Sequence, residues 1–155
     1  MREPVNLNRP IIEGLYTEAL VLADEVRSAF DFAGRIDDIA GDEDLARIAL
    51  SCEALRTTTR MMHVIAWLLN QRAYFNGEIS EFQLRRSGRL PTRASGSNPE
   101  QAALLPRDLR QLVEASERFY ARIERLDNAW HEKFTMHPTA IHRLRERLGT
   151  ELGAQ

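Results

Sequence analysis

The sequence predicts an all-α fold: an elongated antiparallel three-helix bundle with a long central helix and a short C-terminal helix. Two observations lead there. Three long segments carry apolar residues at alternating three- and four-residue spacing, and no segment sustains the two-residue alternation of a strand. The longest of the three contains neither Pro nor Gly. At 155 residues the chain fits one domain, residues 1–155, and buries a core without disulfides or metals.

The first helix is expected over about 11–33. Ile12, Leu15, Ala19, Leu22, Val26, Ala29 and Ala33 form its apolar stripe, and Gly34 is a reasonable stop. A short acidic connector follows, from Ile36 to Gly41. The second helix is expected over about 42–76. Asp42 suits the N-cap, Glu43 and Asp44 suit the positive end of the helix dipole, and Gly77 suits the C-cap. Ser80-Glu81-Phe82-Gln83 reads as a small capping box. Residues 87–103, rich in Ser, Gly and Pro, have the composition of a flexible linker. The third helix is expected over about 106–134, opening at Pro106, with Leu109, Leu112, Ser116, Phe119, Ile123, Leu126 and Trp130 on one face. Pro138 ends it, and a last short helix is expected over about 139–148, with Ile141, Leu144 and Leu148 on one side and Gly149 as its stop.

Charge and composition exclude several classes. A net charge of −2 argues against broad nucleic-acid binding, which needs a strong positive field. Residues 1–46 hold four Arg against eleven Asp and Glu, and residues 47–105 hold eight Arg against four acids. An acidic first helix beside a more basic second one favours their pairing. The single Cys52 precludes an intrachain disulfide and reads as a small buried hydrophobe. The N-terminus lacks the layout of a signal peptide, and the most apolar run, Met61 to Leu69, is too short to span a bilayer. No membrane is expected, and the cytoplasm is the expected compartment.

The second helix carries two apolar stripes. Leu45, Ile48, Cys52, Leu55, Thr59, Met62, Ala66, Leu69 and Ala73 keep a strict heptad and read as the core seam. Leu50, Ala54, Thr57, Met61, Val64, Leu68 and Phe75 form the other stripe. Its first six members each lie two positions beyond a member of the seam, so the stripes face opposite ways. A three-helix bundle uses about one apolar face per helix, so the second stripe is expected to form a dimer interface. The alternative is a cover from this chain's own segment after Phe82, including the short final helix. Leu68→Glu separates the two: soluble monomer from an interface, misfolding from a core.

No catalytic constellation is legible. His63, His131, His137 and His142 lack the spacing of a helical zinc pair, and no Glu-x-x-His pair of the di-iron type occurs. No nucleophile elbow or glycine-rich phosphate loop is present, so neither enzyme activity, cofactor nor metal is expected. Two arginine groups are candidate partner-binding sites. Arg56 and Arg60 stack at i, i+4, where they would clamp an acidic partner or pair with a neighbouring helix. Arg85, Arg86, Arg89 and Arg93 concentrate in the looser stretch, as a basic arm, a solvated loop or a nucleic-acid contact; no aromatic residue interleaves with them as a stacking platform.

The stretch from Ala49 to Ala73, followed by Gly77-Glu78-Ile79, resembles the regulator of CtrA degradation (RcdA) family of alphaproteobacteria. Leu15-Tyr16 and Glu18-Ala19-Leu20 in the first helix are similar as well. The resemblance covers most of the chain and is sharpest in the second helix. It implies a dimeric three-helix bundle, without a catalytic motif, acting as an adaptor that delivers selected proteins to the ClpXP protease during the cell cycle. The expected function is therefore a homodimeric, non-enzymatic adaptor or scaffold whose partners are protease-adaptor machinery or cargo. A nucleic-acid-associated regulator using the Arg-rich linker is the alternative.

Overall fold

A computed structural model describes residues 7–40, 44–91, 96–135 and 140–152. Every regular element among them is helical: α1 (Arg9–Ala40), α2 (Asp44–Phe75), α3 (Glu81–Ser87), α4 (Pro99–Ala102), α5 (Arg107–Thr135) and α6 (Ala140–Leu152). Asp42, Glu43, Arg93, His137, Pro138 and Thr139 lie outside the described residues.

The long helices arise where the apolar spacing predicts them, and their ends differ for local reasons. α1 continues past Gly34 to Ala40, so the acidic connector is largely its last turns. A lone Gly in a helix costs only about 1 kcal/mol, which the packed first turns of α1 offset. α2 ends at Gly77, whose φ of 76° is left-handed. Gly77 N–H donates to Tyr74 and Glu78 N–H to Ala73, a Schellman closure that only Gly adopts without strain. α6 runs through Gly149 to Leu152.

α3 begins at the expected capping box: Ser80 Oγ accepts from Gln83 N–H, and Ser80 N–H donates to Gln83 Oε1. Leu84 is its buried anchor, and it ends at Gly88. A Cβ on Gly88 would lie 2.5 Å from the Leu84 carbonyl oxygen and 2.6 Å from its Cδ1. Gly88→Ala is therefore expected to lower stability by about 1–3 kcal/mol through overpacking. A thermal unfolding midpoint equal to that of the parent chain would refute this.

Helix directions follow from the side chains that meet. Arg72 of α2 bonds Glu13 near the start of α1, and Arg122 of α5 bonds Glu18, so α1 runs against both. Arg60 bonds Ser116 and Trp67 bonds Asp127, so α2 and α5 run in the same direction. The bundle is thus not antiparallel throughout. The described parts of the connecting segment, residues 76–91 and 96–106, lie between α2 and α5, which allows two consecutive long helices to be parallel.

Two apolar clusters fill the interior. One joins Ile12, Leu15 and Ala19 of α1 to Met61, Val64, Trp67 and Leu68 of α2 and to Phe119, Tyr120 and Ile123 of α5. The other joins Val26 and Phe30 to Leu105, Leu109 and Val113. The expected stripes of α1 and α5 are the faces that supply these clusters.

The stretch expected to be a flexible linker is docked over its described length. Leu90 and Leu105 are buried, and α4 forms within it behind an Asn98 cap. Leu90 N–H donates to Asp127, Ser97 N–H to Glu117 and Asn98 N–H to Glu53. The Tyr120 hydroxyl donates to the Pro91 carbonyl. Composition alone predicts mobility; buried acceptors on α2 and α5 hold the segment instead.

Candidate interaction surface

α2 is built inside out. Its core-facing side holds Glu53, Thr57, Arg60 and Gln71, all buried, among its apolar anchors. Its opposite side holds Leu45, Ile48, Leu55, Met62 and Leu69, all exposed. Leu45 is 74%, Leu55 69% and Met62 64% exposed. Ala66 is also exposed, and Cys52, Thr59 and Ala73 are half-buried along the same line.

This reverses the expected assignment of the two stripes. Met61, Val64 and Leu68 are at most 2% exposed within the single chain, and Thr57 is fully buried. Leu50, Ala54 and Phe75 are half-buried against the same two clusters. These seven residues therefore belong to the chain's own core, covered by α1 and α5 with Leu90, and no described side chain of α6 takes part in either cluster. The heptad seam read as core is the side left uncovered.

Charged residues on α2 meet partners in this orientation. The Arg56 guanidinium bonds Glu53 at 2.7 Å and also Gln101 of α4. Glu53 accepts from Asn98 N–H at 2.9 Å. Arg60 donates to Ser116 at 2.6 Å and faces Glu117 at 3.5 Å. Burial pushes the Arg60 guanidinium below its ordinary value, and Glu117 and Glu53 oppose that shift. Had the other stripe turned inward, Glu53 and Arg60 would face away from the groups that satisfy them. Turned outward, those two charges would be solvated; what the observed orientation adds is burial of Trp67, the largest apolar side chain on α2.

Arg56 and Arg60 are thus occupied within the chain rather than presented to a partner. Glu53→Ala would leave Asn98 N–H without its acceptor. The crossover should loosen by about 1–3 kcal/mol, read as faster hydrogen exchange at Asn98 and faster proteolysis nearby. Unchanged exchange there would show that Glu53 does not hold the segment.

The second arginine group lies on and just after α3. Arg85 is half-buried, and Arg86 and Arg89 are exposed. Phe82, 72% exposed, lies three and four residues before Arg85 and Arg86, on the side opposite the buried Leu84. An aromatic side chain therefore does accompany these arginines, contrary to the sequence reading. A further apolar groove of about 390 Å³ opens between the end of α1 and the starts of α2 and α5, where Phe32, Ile36 and Leu104 are exposed.

One buried polar cluster resembles catalytic machinery in composition but not in arrangement. The Asp127 carboxylate accepts from Trp67 Nε1–H and Leu90 N–H. His131 Nδ1 lies 2.8 Å from the Asp127 carbonyl and 3.2 Å from its carboxylate. Both neighbours are acceptors, so Nδ1 carries the proton. The other ring nitrogen is buried and has no hydrogen-bond partner among the described residues. The pair fixes α2, α5 and the crossover together. Among the described residues no three His, Cys, Asp or Glu side chains group as a metal site, and no helix is long and apolar enough to cross a membrane.

The described residues thus define an all-helical bundle distinguished by an uncovered apolar helix face. The chain belongs to the family described as protein of unknown function DUF1465, which matches residues 4–152. No curated protein and no solved structure matches it.

Proposed function

We propose that this protein is a non-enzymatic, homodimeric adaptor or scaffold of the cytoplasm, resembling the regulators of ClpXP-dependent proteolysis in cell-cycle control. The observation that carries the reading is the outer face of α2. Large aliphatic side chains stand exposed there while the helix's own Glu53 and Arg60 are turned inward. A monomer gains nothing from such a face, whereas a protein that works by association does. The likeness of residues 49–73 to the RcdA family supplies the rest: dimerisation through one face and delivery of cargo through others.

Co-purification with ClpX, alone and with a primed protease complex, tests the adaptor role. Consistent failure to retain ClpX, cargo or a co-adaptor across growth phases would overturn it.

A nucleic-acid-associated role is the second reading, favoured by one observation: Phe82 shares the outward side of α3 with Arg86. It requires salt-sensitive binding that weakens when Arg85, Arg86 and Arg89 are neutralised. Gel shifts at low salt without retardation would remove it.

A further inference from the structure

We infer that the uncovered face of α2 pairs with the same face of a second copy in an antiparallel, two-fold coiled coil. The inference rests on the dimeric reading above and adds the face, the direction and the register.

The spacing comes first. From Leu45 to Ala73 the outer residues keep a strict seven-residue repeat without interruption. This is the same three- and four-residue spacing by which α1 and α5 pack onto their neighbours, here on a face that no described part of the chain covers. At 1.5 Å per residue it runs for about 42 Å.

Charge argues for the same kind of occupant. The seam contains no Asp, Glu, Lys or Arg. Glu53, Arg56, Arg60 and Arg72 are engaged within the chain by Asn98, Gln101, Ser116 and Glu13. The seam therefore offers a partner apolar contact and no charge to pair with, and this chain exposes a matching face itself.

Side-chain size sets the direction. One set of heptad positions is Leu45, Cys52, Thr59, Ala66 and Ala73, small after the first; the other is Ile48, Leu55, Met62 and Leu69, all large. A parallel pair would stack small on small at Thr59 and Ala66 and large on large at Leu55 and Met62. An antiparallel pair opposes the two sets, so small meets large and the layers interdigitate. A two-fold axis at the level of Thr57 sets Cys52 against the partner's Met62, Thr59 against the partner's Leu55, and Ala66 against the partner's Ile48. It also sets Leu45 against the partner's Leu69, closing both ends. The neighbouring antiparallel register, centred between Arg60 and Met61, leaves Leu45 opposite nothing, although it is the most exposed large side chain on α2.

Cys52 is the chain's one thiol and lies in this seam, so oxidative cross-linking reads the register directly. In the inferred pair the two Cys52 residues sit ten positions apart, about 15 Å along the axis. A disulfide needs Cα atoms within about 7 Å. The parent chain is therefore expected to sediment as a dimer at tens of micromolar and yet not cross-link under mild oxidation. Met62→Cys should convert nearly all of it to covalent dimer, and Met62→Cys combined with Cys52→Ala should abolish that cross-link. Met62 is exposed in the single chain, and circular dichroism confirms that the variants are folded.

Rapid cross-linking of the parent chain through Cys52 would show parallel pairing and overturn the inference. Cross-linking of Leu69→Cys but not Met62→Cys would show the neighbouring register and overturn the layer assignment. A monomer at tens of micromolar would remove the self-pairing altogether. The adaptor reading fails separately, by the absence of ClpX or cargo in the co-purification.

Discussion

Leu68→Glu is expected to prevent folding, whereas Met62→Glu is expected to leave a soluble, helical chain. Leu68 is fully buried between α1 and α5, in the cluster with Ile12, Trp67 and Ile123. Losing its apolar burial costs about 2–3 kcal/mol, and taking a carboxylate out of water into this apolar cluster adds several more. A loss of roughly 5 kcal/mol or more reaches the whole stability of an ordinary domain. Met62 lies on the opposite side and is 64% exposed. A charge at that position stays in water in the single chain and falls within the roughly 0.5 kcal/mol typical of surface substitutions. Its effect should appear in association instead. Far-UV circular dichroism and sedimentation of the two variants decide the matter. A folded, soluble Leu68→Glu protein would mean that the core and outer faces of α2 have been assigned the wrong way round.

The Asp127→Ala variant should lose about 3–5 kcal/mol, because one carboxylate holds three parts of the chain at once. Asp127 is 2% exposed. It accepts from Trp67 Nε1–H at 2.8 Å and from Leu90 N–H at 3.1 Å, and His131 Nδ1 approaches its Oδ1 at 3.2 Å. Alanine leaves two buried donors without partners and a small void beside the indole ring. Each orphaned donor costs about 1–3 kcal/mol, and the void adds to that. Asp127→Asn keeps one acceptor oxygen and should fall between. The measurement is the denaturant midpoint at fixed protein concentration, with an unchanged denaturant dependence showing that the same cooperative unit unfolds. A shift below 1 kcal/mol would mean that water or a rearranged crossover replaces the carboxylate.

Much of the secondary structure was legible because its signals are local. Ile12, Leu15, Ala19 and Val26 on α1, and Leu109, Phe119 and Ile123 on α5, are at the spacing that lines up one helix face, and all are buried. Gly77 and the Ser80–Gln83 box end and start helices through bonds spanning a few residues. Gly34 misled because a single Gly weakens a helix without stopping it. The crossover misled because its polar composition is that of a solvated linker, while its described backbone donors meet carboxylates from two other helices.

The candidate surface was half legible. Two opposed stripes on α2, one of them in excess of what a bundle needs, follow from residue spacing. Which stripe turns inward does not. One available signal was Trp67, the largest apolar side chain on α2, which belongs to neither stripe by spacing yet packs with Met61, Val64 and Leu68. The position of Arg56 and Arg60 on one side of the helix suits either a clamp for a partner or pairing with a neighbouring helix, and the chain takes the second: Arg56 meets Gln101 of α4 and Arg60 meets Ser116 and Glu117 of α5.

The sequence by itself determined that this chain is helical, where its long helices lie, how α2 ends and α3 begins, and that α2 has apolar residues to spare. Those properties depend on neighbours within about a turn of helix. The tertiary structure alone decided that α5 runs parallel to α2, that residues 96–102 are docked, and that the heptad seam faces outward. Those outcomes depend on Glu53 meeting Asn98, Arg60 meeting Ser116 and Trp67 meeting Asp127, pairs 45, 56 and 60 residues apart. The two stripes have similar apolar content; burial of Trp67 beside the inner one and its bond to Asp127, 60 residues away, are known only from the packed chain.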